Sequence, residues 1–205
     1  MEGLDIVKSL VKRGDYMLSL DLNQAFYHVP LARNQRQYFA FDFLNKRYCF
    51  TCLPFGLTTS PRVFTKILKP LIGLLRQQGM RIVTYLDNIL IMAILKKEVL
   101  DQTSHLISAL QNHGFTINIK KSCLNPTQVI DYLGFQVNTK EMIFKLPRHK
   151  IKNLTRECRK VKSQITIHVR KLASLIGKII TITNAVFSAH LYSRALLRDK
   201  NYGLK

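Results

Sequence analysis

Apolar residues along this chain change period repeatedly, and each change marks an expected element. Residues 5–12 read as a short amphipathic helix stopped by Gly14, and Tyr16-Met17-Leu18-Ser19-Leu20 as a strand ending at Asp21. Residues 23–28 suggest a helical turn closed by Pro30. Alternation in 38–43 and 47–51 predicts two strands around an Asn45-Lys46 turn, with their aromatics in the core. After the loop 53–57, Ser60-Pro61 predicts a helix start with Ser60 as N-cap. Phe64, Leu68, Leu71 and Leu75 follow at helical spacing, with a kink expected at Pro70 and the end at Gly79. The runs Arg81-Ile82-Val83-Thr84 and Ile89-Leu90-Ile91-Met92 predict a hairpin with Tyr85-Leu86-Asp87-Asn88 between them and the Asp87 carboxylate at its tip. A helix over 98–113, a strand over 115–119, and a second hairpin of 129–137 with 142–146 come next. Beyond Pro147 the texture becomes helical and basic, with helices expected near 151–161, 169–177 and 185–197.

Charge sharpens this picture. The 205 residues carry 32 Lys and Arg against 12 Asp and Glu, a net of +20. Residues 148–205 alone hold 14 basic and 2 acidic residues. So lopsided a balance predicts a polyanionic partner whose binding weakens with salt, and nucleic acid is the one that fits. A membrane partner is not expected: the longest apolar stretch, 82–95, is short and interrupted by Asp87-Asn88, and the first residues lack a signal-peptide pattern. Cys49 and Cys52 have no second pair to complete a zinc site, so the four cysteines read as reduced thiols of an intracellular protein, cytoplasmic or nuclear.

The candidate chemistry lies in Asp21 and Asp87. Carboxylates presented by apolar strands are costly unless paired or bound to a cation, and two of them suggest a divalent-metal site for phosphoryl transfer. Taken singly, Asp21 also reads as a helix N-cap after a strand and Asp87 as a turn residue.

The motifs around these residues resemble those of reverse transcriptases, in that family's order. Asp21-Leu22-Asn23-Gln24-Ala25-Phe26-Tyr27-His28-Val29-Pro30-Leu31 resembles the first catalytic motif, and Leu53-Pro54-Phe55-Gly56-Leu57-Thr58-Thr59-Ser60-Pro61 the second. Tyr85-Leu86-Asp87-Asn88 is similar to the Tyr-x-Asp-Asp box. Gly114-Phe115 with Lys120-Lys121-Ser122 resembles the fourth motif, and Tyr132-Leu133-Gly134-Phe135 the hairpin that grips the primer end. The opening Met1-Glu2-Gly3-Leu4 and the stretch Leu172-Ala173-Ser174-Leu175-Ile176-Gly177-Lys178 resemble DIRS-type retrotransposons, which carry a tyrosine recombinase.

The resemblance implies an α+β palm-type polymerase fold: an antiparallel sheet backed by helices, with partial fingers and a C-terminal helical thumb. Residues 1–146 are the expected fingers and palm, and 147–205 the basic thumb. The implied activity is RNA-directed DNA synthesis on an RNA or DNA template with primer, using deoxynucleoside triphosphates and two Mg²⁺ ions, or Mn²⁺. Asp21, Asp87 and the Leu22 carbonyl are the implied metal ligands, with Asn88 beside them. Lys121, or else Lys120, is the implied general acid for the leaving pyrophosphate. Phe26 is expected under the sugar, selecting deoxynucleotides, and Phe55, Gly56 and Tyr85 around the nucleotide. Lys150, Lys152, Arg156, Arg159, Lys160, Arg170 and Lys171 are expected along nucleic-acid phosphates. Other retroelement proteins are possible partners.

Two departures bear on activity. Asn88 stands where the family has an acid, removing a negative charge from the site. The chain also starts just before the first motif, implying that the finger strands carrying triphosphate-binding cations are missing. No ribonuclease H segment is expected after Lys205. The alternative is a non-catalytic nucleic-acid-binding remnant of a decayed retroelement. An RNA-synthesising palm is disfavoured by Phe26 and Leu53-Pro54-Phe55-Gly56, and a purely structural domain by the basic last third.

Overall fold

Strand β1 (Tyr16–Asp21) sends Leu18 and Leu20 into the core and Met17, Ser19 and Asp21 to the other face, where Met17 is also fully buried. Helix α1 (Leu4–Leu10) precedes it. The computed structural model describes residues 2–164, 166–183, 185, 186 and 189–203, and divides into two compact units, Met1–Gln128 and Val129–Lys205. Helices mix with antiparallel sheets in the α+β arrangement expected from the sequence.

In the first unit, strands β4 (Arg81–Tyr85), β5 (Asn88–Ala93) and β6 (Cys123–Thr127) join β1 in a sheet of order β4-β5-β1-β6. Antiparallel register pairs Asp21 with Asn88, Ser19 with Leu90 and Met17 with Met92, while Tyr85 pairs with Asn88 on the other side. Helices α2 (Ser60–Gln77) and α3 (Lys96–Asn112) cover one face. Phe64, Leu68, Ile72 and Leu75 of α2 and Val99, Leu106 and Leu110 of α3 pack with Leu18, Leu20, Ile82, Ile89 and Ile91 in one buried cluster. By the two-residue alternation, Asp21, Asn88 and Tyr85 lie on the opposite face.

Two ion pairs fasten the edges of this unit. Asp15 is fully buried and takes a two-pronged bond from Arg81, while the Lys12 amide donates to it at 2.7 Å. Glu2 accepts from Arg76 and from the Thr84 amide at 2.9 Å, closing over the β4 edge.

Several local expectations change. Ser60 is the first helical residue and not the N-cap; its hydroxyl donates to the Pro54 carbonyl at 2.9 Å, tying α2 to the preceding loop. Pro70 sits within α2 without ending it. Residues 33–39 wind into a 3₁₀ helix, so the first hairpin is shorter: β2 (Ala40–Phe43) and β3 (Lys46–Cys49) turn at Leu44-Asn45, both with positive φ. Its aromatics are not core. Phe43 is 59% and Tyr48 43% exposed, and the rings meet one another locally, as Phe41 meets Tyr48 at 5.7 Å. Residues 115–119 make a single bridge, Leu22 to Ile117, in place of a strand.

The second unit holds a three-stranded sheet, β7 (Val129–Tyr132), β8 (Phe135–Asn138) and β9 (Ile143–Lys145). The stretch 129–137, expected as one strand, is itself a hairpin turning at Leu133-Gly134. Both turn residues have positive φ, 48° and 77°, as a tight two-residue hairpin needs. Helix α4 (Arg148–Lys162) follows Pro147 and α5 (Val169–Thr181) buries Leu172, Leu175 and Ile176. The helix expected over 185–197 is observed as α6 (Ala189–Tyr192) and α7 (Arg194–Tyr202), while residues 184, 187 and 188 lie outside the described residues. Among the described residues no helix is long and apolar enough to cross a membrane, and Cys49, Cys52, Cys123 and Cys158 are free thiols.

Candidate active site

The β4–β5 hairpin turns through two residues, Leu86 and Asp87. Leu86 is left-handed at φ 55°, which a branched side chain adopts only under constraint from its surroundings. One such constraint is the Leu22 amide, which donates to the Asp87 carbonyl at 2.8 Å and stitches the end of β1 to the turn. The two acids, 66 positions apart in sequence, thereby meet at the same end of adjacent central strands.

Asp21 is held from the other side as well. Its carbonyl accepts from the Asn118 amide at 2.8 Å, and its amide donates to the Ser122 hydroxyl at 3.0 Å. Both main-chain groups of Asp21 thus point away from β5. The Asp21–Asn88 pair is therefore non-hydrogen-bonded, the type in which facing side chains approach closest.

The electrostatics follow from this crowding. Burial pushes the Asp21 carboxyl above its usual range, and the neighbouring Asp87 charge pushes it further, while Lys121 pulls it down. Asn88 answers the same repulsion by hydrogen bonding: its amide nitrogen donates to Asp87 Oδ1 at 3.0 Å. Asp21, Asp87, Asn88 and Lys121, expected to act together, are thus one cluster. Lys120 has no such interaction with Asp21.

The residues suit a hard divalent cation. Two mutually repelling carboxylates on fixed strands gain by neutralisation, and oxygen donors are what Mg²⁺ prefers. Among the described residues no group of three or more His, Cys, Asp or Glu side chains could hold a metal ion, and a cation at this site would take the two carboxylates and complete its shell with backbone, water or substrate oxygens.

Beyond the acids, a 3₁₀ turn (Ala25–His28) sets Phe26 against the core, with its ring 5.0 Å from Phe55 and 5.7 Å from Phe64. Phe55 is 59% exposed and also meets Tyr27 at 5.3 Å. Gly56 has φ +89°, so glycine is required there by the turn itself, and the space over its Cα is open. Tyr85 closes β4 beside Asn88.

In the second unit, Tyr132 and Phe135 point into the interior, leaving the Leu133-Gly134 backbone at the hairpin tip. Lys150 donates to the Gly134 carbonyl at 3.0 Å and lies 5.9 Å from the Phe135 ring centre. It is therefore engaged with the hairpin. Lys171 donates to Gln164 at 3.0 Å and Arg156 to Asn153 at 3.3 Å. Lys152, Arg156, Arg159 and Lys160 are all exposed on α4 at spacings that share one helix flank. Sequence reasoning gave no role to Ser122 or Asn118, since their bonds to Asp21 span about a hundred residues and no local pattern announces them.

Comparison with known proteins places the chain in context. The family model for reverse transcriptase (RNA-dependent DNA polymerase) matches residues 3–137. The chain is 32% identical over 152 residues to the Pro-Pol polyprotein of feline foamy virus, covering 73% of this chain and 12% of that protein. It is 31% identical over 163 residues to Protein P of duck hepatitis B virus, covering 78% of this chain and 19% of that protein. A foamy viral protease-reverse transcriptase in complex with double-stranded DNA superimposes with a TM-score of 0.73 at 22% identity, covering 93% of this chain and 32% of that one. The same kind of protein in complex with RNA/DNA hybrid gives 0.71 at 22% identity, covering 94% and 25%. These structures share the palm-type fold; the chain spans only a fraction of each relative's length.

Proposed function

The chain belongs to the reverse transcriptase family, and from that premise we propose that it is the RNA-directed DNA polymerase domain of a retroelement, extending a primer on an RNA or DNA template with deoxynucleoside triphosphates. The observation that carries this reading is the meeting of Asp21, at the end of β1, with Asp87, in the adjacent β4–β5 turn, where the charges of Asp87 and Lys121 both act on the Asp21 carboxyl.

Two Mg²⁺ ions, or Mn²⁺, would be held by Asp21, Asp87 and the Leu22 carbonyl, and when bound supply charge neutralisation for the attacking and leaving oxygens. The chain's own residues do the rest. The Asp21–Asn88 register and the Leu22–Asp87 bond fix the two carboxylates before substrate arrives, so little reorganisation is needed. Lys121, whose charge acts on the Asp21 carboxyl, would give a proton to the departing pyrophosphate. Phe26, braced by Phe55 and Phe64, forms a wall that excludes a 2′-hydroxyl, and Gly56 gives the template and nucleotide room for close approach.

Residues 1–146 then act as partial fingers and palm, and 147–205 as the thumb. The Leu133-Gly134 backbone, flanked by Tyr132 and Phe135, meets the primer end. Lys152, Arg156, Arg159, Lys160, Arg170 and Lys171 follow the phosphates without reading sequence, and Lys150 serves through its hold on the hairpin. The Leu172–Lys178 stretch supports a DIRS-type origin, whose other proteins are candidate partners.

One observation favours a non-catalytic nucleic-acid-binding remnant: Asn88 contributes an amide donor to Asp87 where a second acid would add charge. Extension of oligo(dT) on poly(rA) with Mg²⁺ or Mn²⁺ separates the two. Activity in the parent chain that Asp21→Ala abolishes supports the polymerase. Activity only after Asn88→Asp assigns the loss to that residue, and salt-sensitive duplex binding with no extension in either chain supports the remnant.

A further inference from the structure

We propose that Ser122 is a positioning residue for Asp21, its hydroxyl standing in for a missing strand at the metal-binding end of β1. The inference rests on the metal-site reading above and adds to it the element that sets Asp21.

On its β5 side, β1 is paired without interruption from Tyr16 to Asp21. On its β6 side the pairing is sparse: Met17 faces Thr127 and Ser19 faces Cys123, with a register shift between them. Strand β6 begins at Cys123, so no strand residue remains to serve Asp21. Yet the Asp21 amide and carbonyl both point to that side, since neither is used toward β5. The turn at 118–122 answers both. Asn118 N–H donates to the Asp21 carbonyl at 2.8 Å, and Ser122 Oγ accepts from the Asp21 amide at 3.0 Å.

The hydroxyl does not hang free. Ser122 Oγ donates its own proton to the Asn118 carbonyl at 2.7 Å, and the Ser122 amide donates to the same carbonyl at 3.0 Å. Lys121 N–H adds bonds to the Asn118 carbonyl at 3.2 Å and to Asn118 Oδ1 at 3.3 Å. The turn is thus closed on itself before it reaches Asp21. A hydroxyl committed as donor on one side can only accept on the other, which is the polarity the Asp21 amide requires. The same turn carries Lys121, whose charge acts on the Asp21 carboxyl. One turn therefore both fixes the main chain of Asp21 and carries a cation whose charge acts on its side chain.

A carboxylate ligand whose backbone can shift loses cation affinity even though its side chain is intact, and supporting contacts of this kind typically contribute about 10–100-fold in affinity. Ser122→Thr keeps the hydroxyl and Ser122→Ala removes it. The probe is Mn²⁺ binding to the chain, followed by the electron-paramagnetic signal of free Mn²⁺, with Mg²⁺ as competitor and no substrate present. Hydrogen exchange at the Asp21 amide is measured in parallel. Ser122→Ala is expected to weaken Mn²⁺ binding about tenfold and to speed Asp21 exchange, with Ser122→Thr close to the parent. Thr103→Ala, which removes a buried hydroxyl bond to Val99 within α3, is expected to lower the melting temperature and leave Mn²⁺ affinity unchanged. Mn²⁺ binding that depends on Asp21 and persists in full in Ser122→Ala overturns the positioning role alone. Absence of any Asp21-dependent Mn²⁺ binding in the parent overturns the metal-site reading, and the positioning role with it.

Discussion

Asn88 Nδ2 lies 3.0 Å from Asp87 Oδ1, a hydrogen bond between neighbours in sequence at the point where β5 begins. An acid at position 88 would present like charge to Asp87 and to the cross-strand Asp21. The amide therefore eases the site when no cation is present and gives less when one is. Asn88→Asp is expected to lower the melting temperature in metal-free buffer, to show a larger upward shift on adding Mg²⁺, and to raise primer extension by about tenfold or more, the equivalent of ~1.4 kcal/mol. Parallel melts and extension assays with and without Mg²⁺ check it.

Asp21 and Glu2 are expected to give opposite pH slopes. Burial and the Asp87 charge raise the Asp21 carboxyl, so its ionisation opposes folding. Its contribution is complete below the ordinary value of 3.8 and is lost as pH rises through the higher folded value. Asp21→Asn is therefore expected to melt higher than the parent near pH 7, with the difference shrinking toward pH 4, while extension disappears. Melting curves across that range test the sign.

For Glu2, burial pushes the carboxyl up, but the bonds from Arg76 and Thr84 outweigh it and leave it below the ordinary value of 4.5. Its stabilisation is present above that value and fades as pH falls through the lower folded one. Glu2→Gln is expected to destabilise at pH 7 by about 1 kcal/mol, modest because the pair is partly exposed. The effect should diminish in acid, as read by urea titrations at two pH values.

The Asp15–Arg81 pair is a different case, since Asp15 has no exposed surface and Arg81 is its two-pronged partner. Arg81→Ala leaves a buried carboxylate short of its main cation and is expected to cost about 3–5 kcal/mol. Replacing the pair together should cost less than the single change. Chemical denaturation of both variants and the double variant measures the coupling.

At the second-unit hairpin, a Cβ on Gly134 would collide with Lys150 Nζ and would sit on a backbone with φ +77°. Gly134→Ala is expected to cost about 1–2 kcal/mol for the left-handed backbone, plus the loss of the Lys150 bond. In a Lys150→Ala background only the backbone part should remain. A double-mutant cycle on thermal stability separates the two.

Much of the first unit was legible in the sequence because its signals are local. The apolar runs in 16–20, 82–84 and 89–92 and the helical stripe of Phe64, Leu68, Leu71 and Leu75 report directly on burial. The acids were legible for the same reason, being polar residues that interrupt apolar strands. What was missed depends on distant partners. Residues 115–119 alternate like a strand, but only Ile117 finds a partner across from it, at Leu22. Ser60 has the chemistry of an N-cap and spends its hydroxyl on Pro54. The aromatics of 38–50 look like core because a sequence does not say whether a second layer covers a hairpin. Ser122 stands in the sequence only as the end of the stretch Lys120-Lys121-Ser122, and its partner, Asp21, comes from about a hundred residues away.

The pairing of Asp21 with Asn88 makes β1 more tolerant of apolar exchange than of a change in length. Side chains in a strand alternate, so a residue added or lost between Tyr16 and Asp21 would turn the carboxylate toward Leu68 and Ile89 and bring a leucine to the opposite face. Exchanging one apolar residue for another at Met17, Leu18 or Leu20 trades only volume, whereas a single-codon insertion or deletion reverses inside and outside for the whole segment. Copies of this domain can therefore drift in spelling along β1 while its residue count stays fixed.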